Sequence, residues 1–248
     1  MQPPELLHVS PSGGHFMTRD PEIIAHRGAP REALENTLPA FQAAMDQGAD
    51  GIELDVHVTR DGVVVVHHDS TLPIDTGGGG SLRRIADLLY REVLECPLAG
   101  GASMPTLDAA LQLIGTRANV YVEVKSAGIE RPLVECLARH PDSRVAVHAF
   151  DHRIPVAVRA LRADIEIGVL SASYPLDIPG FIEKAQAQAF WQQAELIDRA
   201  LVIAAHALGA RLVAWTENDD VHARALIAMG VDALCTDTPG QLRAALGL

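Results

Sequence analysis

One local pattern recurs along most of this 248-residue chain. A short apolar, β-branched run ends in a polar residue and is followed by a stretch whose apolar positions have helical spacing. The runs are EIIAHRG from Glu22, DGIELDVHVT from Asp50, NVYVEVKS from Asn119, RVAVHAFD from Arg144, EIGVLSAS from Glu166, QAFWQQ from Gln188, RLVAWTEN from Arg211 and DALCTDTP from Asp232. Eight such units, the sixth the weakest in pattern, predict a (β/α)8 TIM barrel. A doubly wound open sheet is the alternative, but it seldom needs eight units or a polar group at the end of every strand.

The length suits one barrel domain, taken as 21–248. Residues 1–20 carry Pro3, Pro4, Pro11, Gly13 and Gly14 and lack an apolar segment after a basic start. They are expected to be a disordered N-terminal extension and not a secretory signal. The repeat lapses over 70–104, where a four-glycine run and a short helix over 85–94 read as an insertion after the second strand unit. It is long enough for a lid over the site, or equally a plain surface loop.

A net charge of −12 with only two lysines, Lys125 and Lys184, excludes a general nucleic-acid surface, which needs clustered cations. No apolar run reaches membrane-spanning length, so stable membrane insertion is not expected. Cys96, Cys136 and Cys235 are odd in number and form no CxxC pair, which suits reduced thiols and a cytoplasmic location.

A barrel gathers its strand ends at one mouth, which here would also take in His148, Gln192, Glu217 and Asp237. Side chains two apart on a strand share a face, so Glu53, Asp55 and His57 align, as do Glu123 and Lys125. Glu53, Asp55 and Glu123 together offer oxygen ligands to one divalent cation, Mg2+ or Ca2+ with Mn2+ possible. In isolation such carboxylates would read as ordinary strand-end residues. Here they share the mouth with His26, Arg27, His68 and Lys125. Two histidines can divide the roles of acid and base, and Arg27 offers a planar fork for phosphoryl oxygens. Lys125 either joins it or neutralises Glu123. Trp215 either walls an apolar pocket or packs the rim. No GxSxG elbow or GxxxxGK[ST] loop is present, which removes serine hydrolase and P-loop readings.

The stretch HRG…ENT..AF..A…GAD.IE.DV..T.DG..VV.HD over 26–69, with VEVK at 122–125, AWTEND at 214–219 and GVDALCTDTP at 230–239, resembles the glycerophosphodiester phosphodiesterase family. The resemblance implies a (β/α)8 barrel with an insertion after the second strand. His26 and His68 would be the acid/base pair, and Glu53, Asp55 and Glu123 the metal ligands. Arg27 and Lys125 would bind phosphate, Trp215 would line the glycerol pocket, and Glu35 would be a supporting residue. It also implies attack by the glycerol hydroxyl beside the phosphate, a cyclic phosphate, and release of an alcohol and glycerol 3-phosphate from a small-molecule diester. Leu34, PIDTGGGG at 73–80 and His148 depart from the family pattern, which bears on the head group. Two other readings stay open. One is a lysophospholipase D type activity, which would need an apolar groove from Leu82, Ile85, Leu88 and Leu89; the other is a non-catalytic phosphodiester-binding barrel.

Overall fold

The computed structural model describes residues 20–74 and 81–248. In chain order the elements are β1 (Glu22–His26), α1 (Leu38–Asp46), β2 (Gly51–Val58), β3 (Val64–Val66), β4 (Thr71–Ile74), β5 (Ser81–Arg84), α2 (Tyr90–Leu94), α3 (Leu107–Ile114) and β6 (Asn119–Val124). Then come α4 (Glu130–Leu137), β7 (Val145–Ala149), α5 (Arg153–Leu161), β8 (Glu166–Ser171), α6 (Ile178–Ala185), β9 (Ala189–Gln193), α7 (Arg199–Ala207), β10 (Arg211–Trp215), α8 (Asp220–Met229), β11 (Ala233–Thr236) and α9 (Pro239–Leu246).

The parallel order β1-β11-β10-β9-β8-β7-β6-β2 closes through pairing of β1 with β2, the barrel that the repeat predicts. The weakly patterned sixth unit is a full strand, β9, with Phe190 and Trp191 buried. Helices start where the sequence supplies a cap: the side chains of Thr37, Thr106, Asp198 and Asp219 accept from the first turns of α1, α3, α7 and α8.

Strand alternation sorts the apolar residues into two places. Ile23, Val169, Phe190, Leu212 and Leu234 face outward and pack with the helices. Ile24, Tyr121, Leu170, Trp191, Val213 and Cys235 point inward and fill the barrel. The same alternation carries the inward series of β2 from Gly51 through Glu53 to Asp55, and that of β6 from Tyr121 to Glu123. Registers set Asp55 opposite Glu123 and Glu123 opposite His148, so the polar layer lies directly above an apolar one.

The insertion differs from its sequence reading. β4 and β5 form an antiparallel hairpin, and residues 75–80, which include the four glycines, lie outside the described residues. The helix expected over 85–94 splits into a 3-10 turn, Ile85–Asp87, and α2. The cause is Leu88. Its backbone is extended, it is buried, and its carbonyl accepts from Arg60 N at 2.8 Å, so it cannot continue a helical ladder. Ile85 and Leu88 pack with Val65, Leu72, Val93 and Met104. They therefore line no groove, and of the four residues named for a lipid chain only Leu82 is well exposed. No helix among the described residues is long and apolar enough to cross a membrane.

Candidate active site

The mouth is organised from the end of β1. Arg27 adopts φ +57° and Gly28 φ +89°, the left-handed region that costs an ordinary residue energy and that glycine enters freely. Gly28 is required for a second reason: a Cβ there would lie 2.7 Å from the Ala40 carbonyl carbon. This turn points Arg27 back over β2. Its N–H donates to Glu53 Oε2 at 3.1 Å, its guanidinium donates to Glu35 Oε1 at 2.8 Å, and its Nε lies 3.1 Å from Asp55 Oδ2. Strained backbone held by this many partners is a recurrent feature of functional sites.

Asn36, also left-handed at φ +56°, ties the turn to β2. Its N–H donates to Arg27 O at 2.9 Å, its Nδ2 donates to Asp55 Oδ2 at 2.8 Å, and its Oδ1 accepts from Asp55 N at 3.2 Å. Lys125 Nζ reaches Glu123 Oε1 at 2.7 Å and Asp55 Oδ1 at 3.3 Å. Asp55 therefore has donors or cations at both oxygens. Burial pushes its pKa up, but Lys125, Arg27, the Asn36 hydrogen bond and His68 outweigh burial and hold it below the usual carboxylate value.

Glu53 is in the opposite condition. Burial, then the charges of Asp55 and Glu123, push its pKa well above the ordinary range, and its Oε1 is buried with no hydrogen-bond partner among the described residues. Burial and Asp55 likewise raise Glu123. Three buried carboxylates share two cations, and Glu53 and Glu123 are the ones whose ionised forms are left undercompensated. His148 is 1% exposed. Burial pushes its pKa down to about 3, so the ring is neutral at ordinary pH. One ligand atom each from Glu53, Glu123 and His148 lie within 4.8 Å of one another, a cluster that could hold a metal ion.

His26 Nδ1 lies 2.8 Å from Asp237 Oδ1. His68, at the mouth after β3, has its Nδ1 2.9 Å from Asp69 Oδ1 and a side chain 38% exposed, against 19% for His26. The backbone carbonyl of His68 lies 3.1 Å from His57 Nε2, while His67 N donates to Asp55 O at 3.0 Å. His57 and His67 thus position the segment that carries His68. Trp215 packs edge-on to Phe150, ring centres 5.5 Å apart, and its buried Nε1 has no partner among the described residues.

The structure brings His26, Arg27, Glu35, Glu53, Asp55, His68, Glu123 and Lys125 to one mouth, with Trp215 on its far wall. Sequence reasoning placed His148 and Asp237 at the mouth but gave neither a role, and it did not reach Asn218, whose Nδ2 donates to Asp237 Oδ2 at 2.8 Å. The signal for those two lies in the TDTP and AWTEND segments, but only barrel closure carries them to His26. Glu217, also expected at the mouth, accepts from Asp219 N at 2.7 Å and so fixes the start of α8.

A TIM barrel places its chemistry at this C-terminal rim. Residues 26–241 match the model of the Glycerophosphoryl diester phosphodiesterase family, and the chain belongs to that family. It is 31% identical over 234 residues to a glycerophosphodiester phosphodiesterase of Caldanaerobacter subterraneus subsp. tengcongensis, covering 89% of this chain and 95% of the relative. Among solved structures it is similar to a putative glycerophosphoryl diester phosphodiesterase of Silicibacter pomeroyi, at TM-score 0.83 and 26% identity over 91% of this chain and 92% of that one. It is also similar, at TM-score 0.81 and 26% identity over 92% and 97%, to an Oleispira antarctica phosphodiesterase in complex with the product sn-glycerol-3-phosphate.

Proposed function

We propose that this chain hydrolyses glycerophosphodiesters to an alcohol and glycerol 3-phosphate, with His26 and His68 as the acid/base pair. The observation that carries the reading is His26 with one nitrogen tied to Asp237, in a mouth shared with Arg27, Lys125, His68 and a floor of buried carboxylates. The product complex of the Oleispira antarctica relative supports the substrate class.

With Asp237 ionised, Nδ1 of His26 carries the proton and Nε2 is free to exchange one with substrate. Arg27 and Lys125 face the phosphoryl oxygens, and Trp215 lines the glycerol side. The glycerol hydroxyl beside the phosphate attacks phosphorus and gives its proton to one histidine. The other histidine protonates the departing alcohol oxygen. A cyclic phosphate results, and water opens it with the two histidines in exchanged roles, which restores both protonation states.

Glu53, Asp55 and Glu123 would hold a divalent cation. The donor set fits one, because Glu53 Oε1 is buried without a hydrogen-bond partner among the described residues and burial beside Asp55 and Glu123 leaves its ionised form undercompensated. When bound, the ion would stabilise charge that develops on the phosphoryl oxygens.

The test is release of glycerol 3-phosphate from a panel of glycerophosphodiesters, with Mg2+, Mn2+ or Ca2+ and with a chelator. Chelator-sensitive release, lost in His26→Ala and in His68→Ala, is the expected result. Absence of turnover from folded protein with every cation would overturn the reading. Normal hydrolysis of a diester whose neighbouring hydroxyl is methylated would remove the cyclic route and leave direct attack by water.

A further inference from the structure

We propose that His148 is a nitrogen ligand of the cation held by Glu53 and Glu123, and that the site consequently prefers a first-row transition ion, Mn2+ or Zn2+, to Mg2+ or Ca2+. The inference rests on the cation-binding part of the function proposed above and adds a ligand and a metal class to it.

Three observations carry it. One His148 ring nitrogen lies within 4.8 Å of both a Glu53 and a Glu123 oxygen. The ring is almost fully buried, and its Nδ1 has no hydrogen-bond partner among the described residues. A buried histidine ordinarily satisfies its ring nitrogens, so an unpaired Nδ1 on a ring grouped with Glu53, whose Oε1 is also unpaired, points to a partner shared by the two residues. Third, the ring is locked. It stacks on Trp191 with centres 4.2 Å apart and planes 8° from parallel. A Cβ at Gly168 would lie 2.9 Å from Trp191 Cδ1 and 3.2 Å from His148 Cβ, so the glycine makes room for the stacked pair. A ligand fixed by its surroundings loses little freedom on binding.

Asp55 is the contrasting case on the same floor. Its Oδ1, like Glu53 Oε1 and His148 Nδ1, has no hydrogen-bond partner among the described residues, but Lys125 Nζ lies 3.3 Å from it and Asn36 and Arg27 meet Oδ2. Glu53 and the His148 imidazole are thus the least engaged donors on the floor, while Glu123 already accepts from Lys125 at 2.7 Å. All-oxygen sets suit Mg2+ and Ca2+, and an imidazole nitrogen moves the preference toward transition ions.

The test uses full-length protein stripped by a chelator and reloaded with Mn2+. Pulsed electron paramagnetic resonance reads nitrogen directly bonded to Mn2+ through its 14N modulation, independent of catalysis. The expected result is clear 14N modulation in the wild type and its loss in His148→Ser. Calorimetric titration should show Mn2+ binding weakened by about tenfold or more in His148→Gln, since even outer-shell partners of a ligand are worth that much, with Mg2+ binding much less affected. Failure to bind Mn2+, or Mn2+ binding without 14N modulation in the wild type, overturns the proposal, and neither needs a variant to fold. Equal weakening of Mn2+ and Mg2+ in His148→Gln also overturns it. Turnover measured in parallel separates the two readings: hydrolysis without 14N modulation removes only the nitrogen ligand, and 14N modulation without hydrolysis removes the proposed reaction.

Discussion

Asp237 Oδ1 stands 2.8 Å from His26 Nδ1, joining the residue after the last barrel strand to the end of the first. The carboxylate is itself fixed. Asn218 Nδ2 donates to its other oxygen at 2.8 Å, and Asn218 Oδ1 accepts from Asp237 N at 2.8 Å and Thr236 Oγ1 at 2.9 Å. Closure of β11 on β1 thus sets the orientation and the tautomer of one acid/base candidate.

Asp237→Asn should lower kcat for glycerophosphodiester hydrolysis by about a hundredfold or more, because a misoriented or wrongly protonated imidazole forfeits most of what proton transfer contributes. KM should change far less, since Asp237 acts through His26. Steady-state kinetics against pH on Asp237→Asn, His26→Ala and the double variant provide the check. A double variant no worse than His26→Ala alone is expected for groups that act as a unit. An Asp237→Asn enzyme with near-normal kcat would remove the positioning role.

Gly28→Ala should destabilise the fold by about 2–4 kcal/mol, the left-handed φ accounting for about 1–2 of it and the overlap with Ala40 for the rest. Urea unfolding monitored by tryptophan fluorescence measures this directly. A loss below about 0.5 kcal/mol, the range of ordinary surface changes, would mean that the turn after β1 relaxes without cost.

The strand ends and the barrel were legible because a period of two puts Glu53 with Asp55, and Glu123 with Lys125, whatever else the chain does. What that period cannot give is depth. His148 follows the same rule as Glu123, yet it is almost fully covered because Trp191 from β9 stacks upon it. The His26–Asp237 pair is separated by 211 positions, so no local pattern announces it. Leu88 misleads for another reason. Helical spacing through 85–94 is real, but burial of Leu88 and the bond from Arg60 N to its carbonyl override local propensity.

Asn36 offers a way to separate backbone strain from hydrogen bonding at the site. Asn36→Ala should cost about 2–3 kcal/mol, because it leaves Asp55 N and Oδ2 short of partners and keeps a side chain at φ +56°. Asn36→Gly loses the same bonds but enters that conformation freely, so it should recover about 1 kcal/mol of the loss. Denaturant midpoints of the two variants against wild type give both quantities. An Asn36→Gly protein no more stable than Asn36→Ala would show that the positive φ carries no strain worth relieving.

At the opposite end of the barrel, Glu22 accepts from Asn119 Nδ2 at 2.7 Å, from Tyr121 Oη at 2.7 and 2.8 Å, and from Arg211. Burial, followed by the charge of Glu22, raises the Tyr121 pKa above its ordinary value. The sign of the linkage follows from the direction. An unfolded chain gives up the Tyr121 proton near pH 10, before the folded protein does, so this contribution to stability is complete below about pH 10 and is lost progressively above it. Wild-type stability in urea should therefore fall more steeply above about pH 10 than that of Tyr121→Phe, which has no such proton to lose. At pH 7 the order is reversed in cost, with Tyr121→Phe about 1 kcal/mol less stable through the lost hydroxyl hydrogen bonds. Parallel pH profiles for the two proteins would place the alkaline sensitivity elsewhere in the barrel.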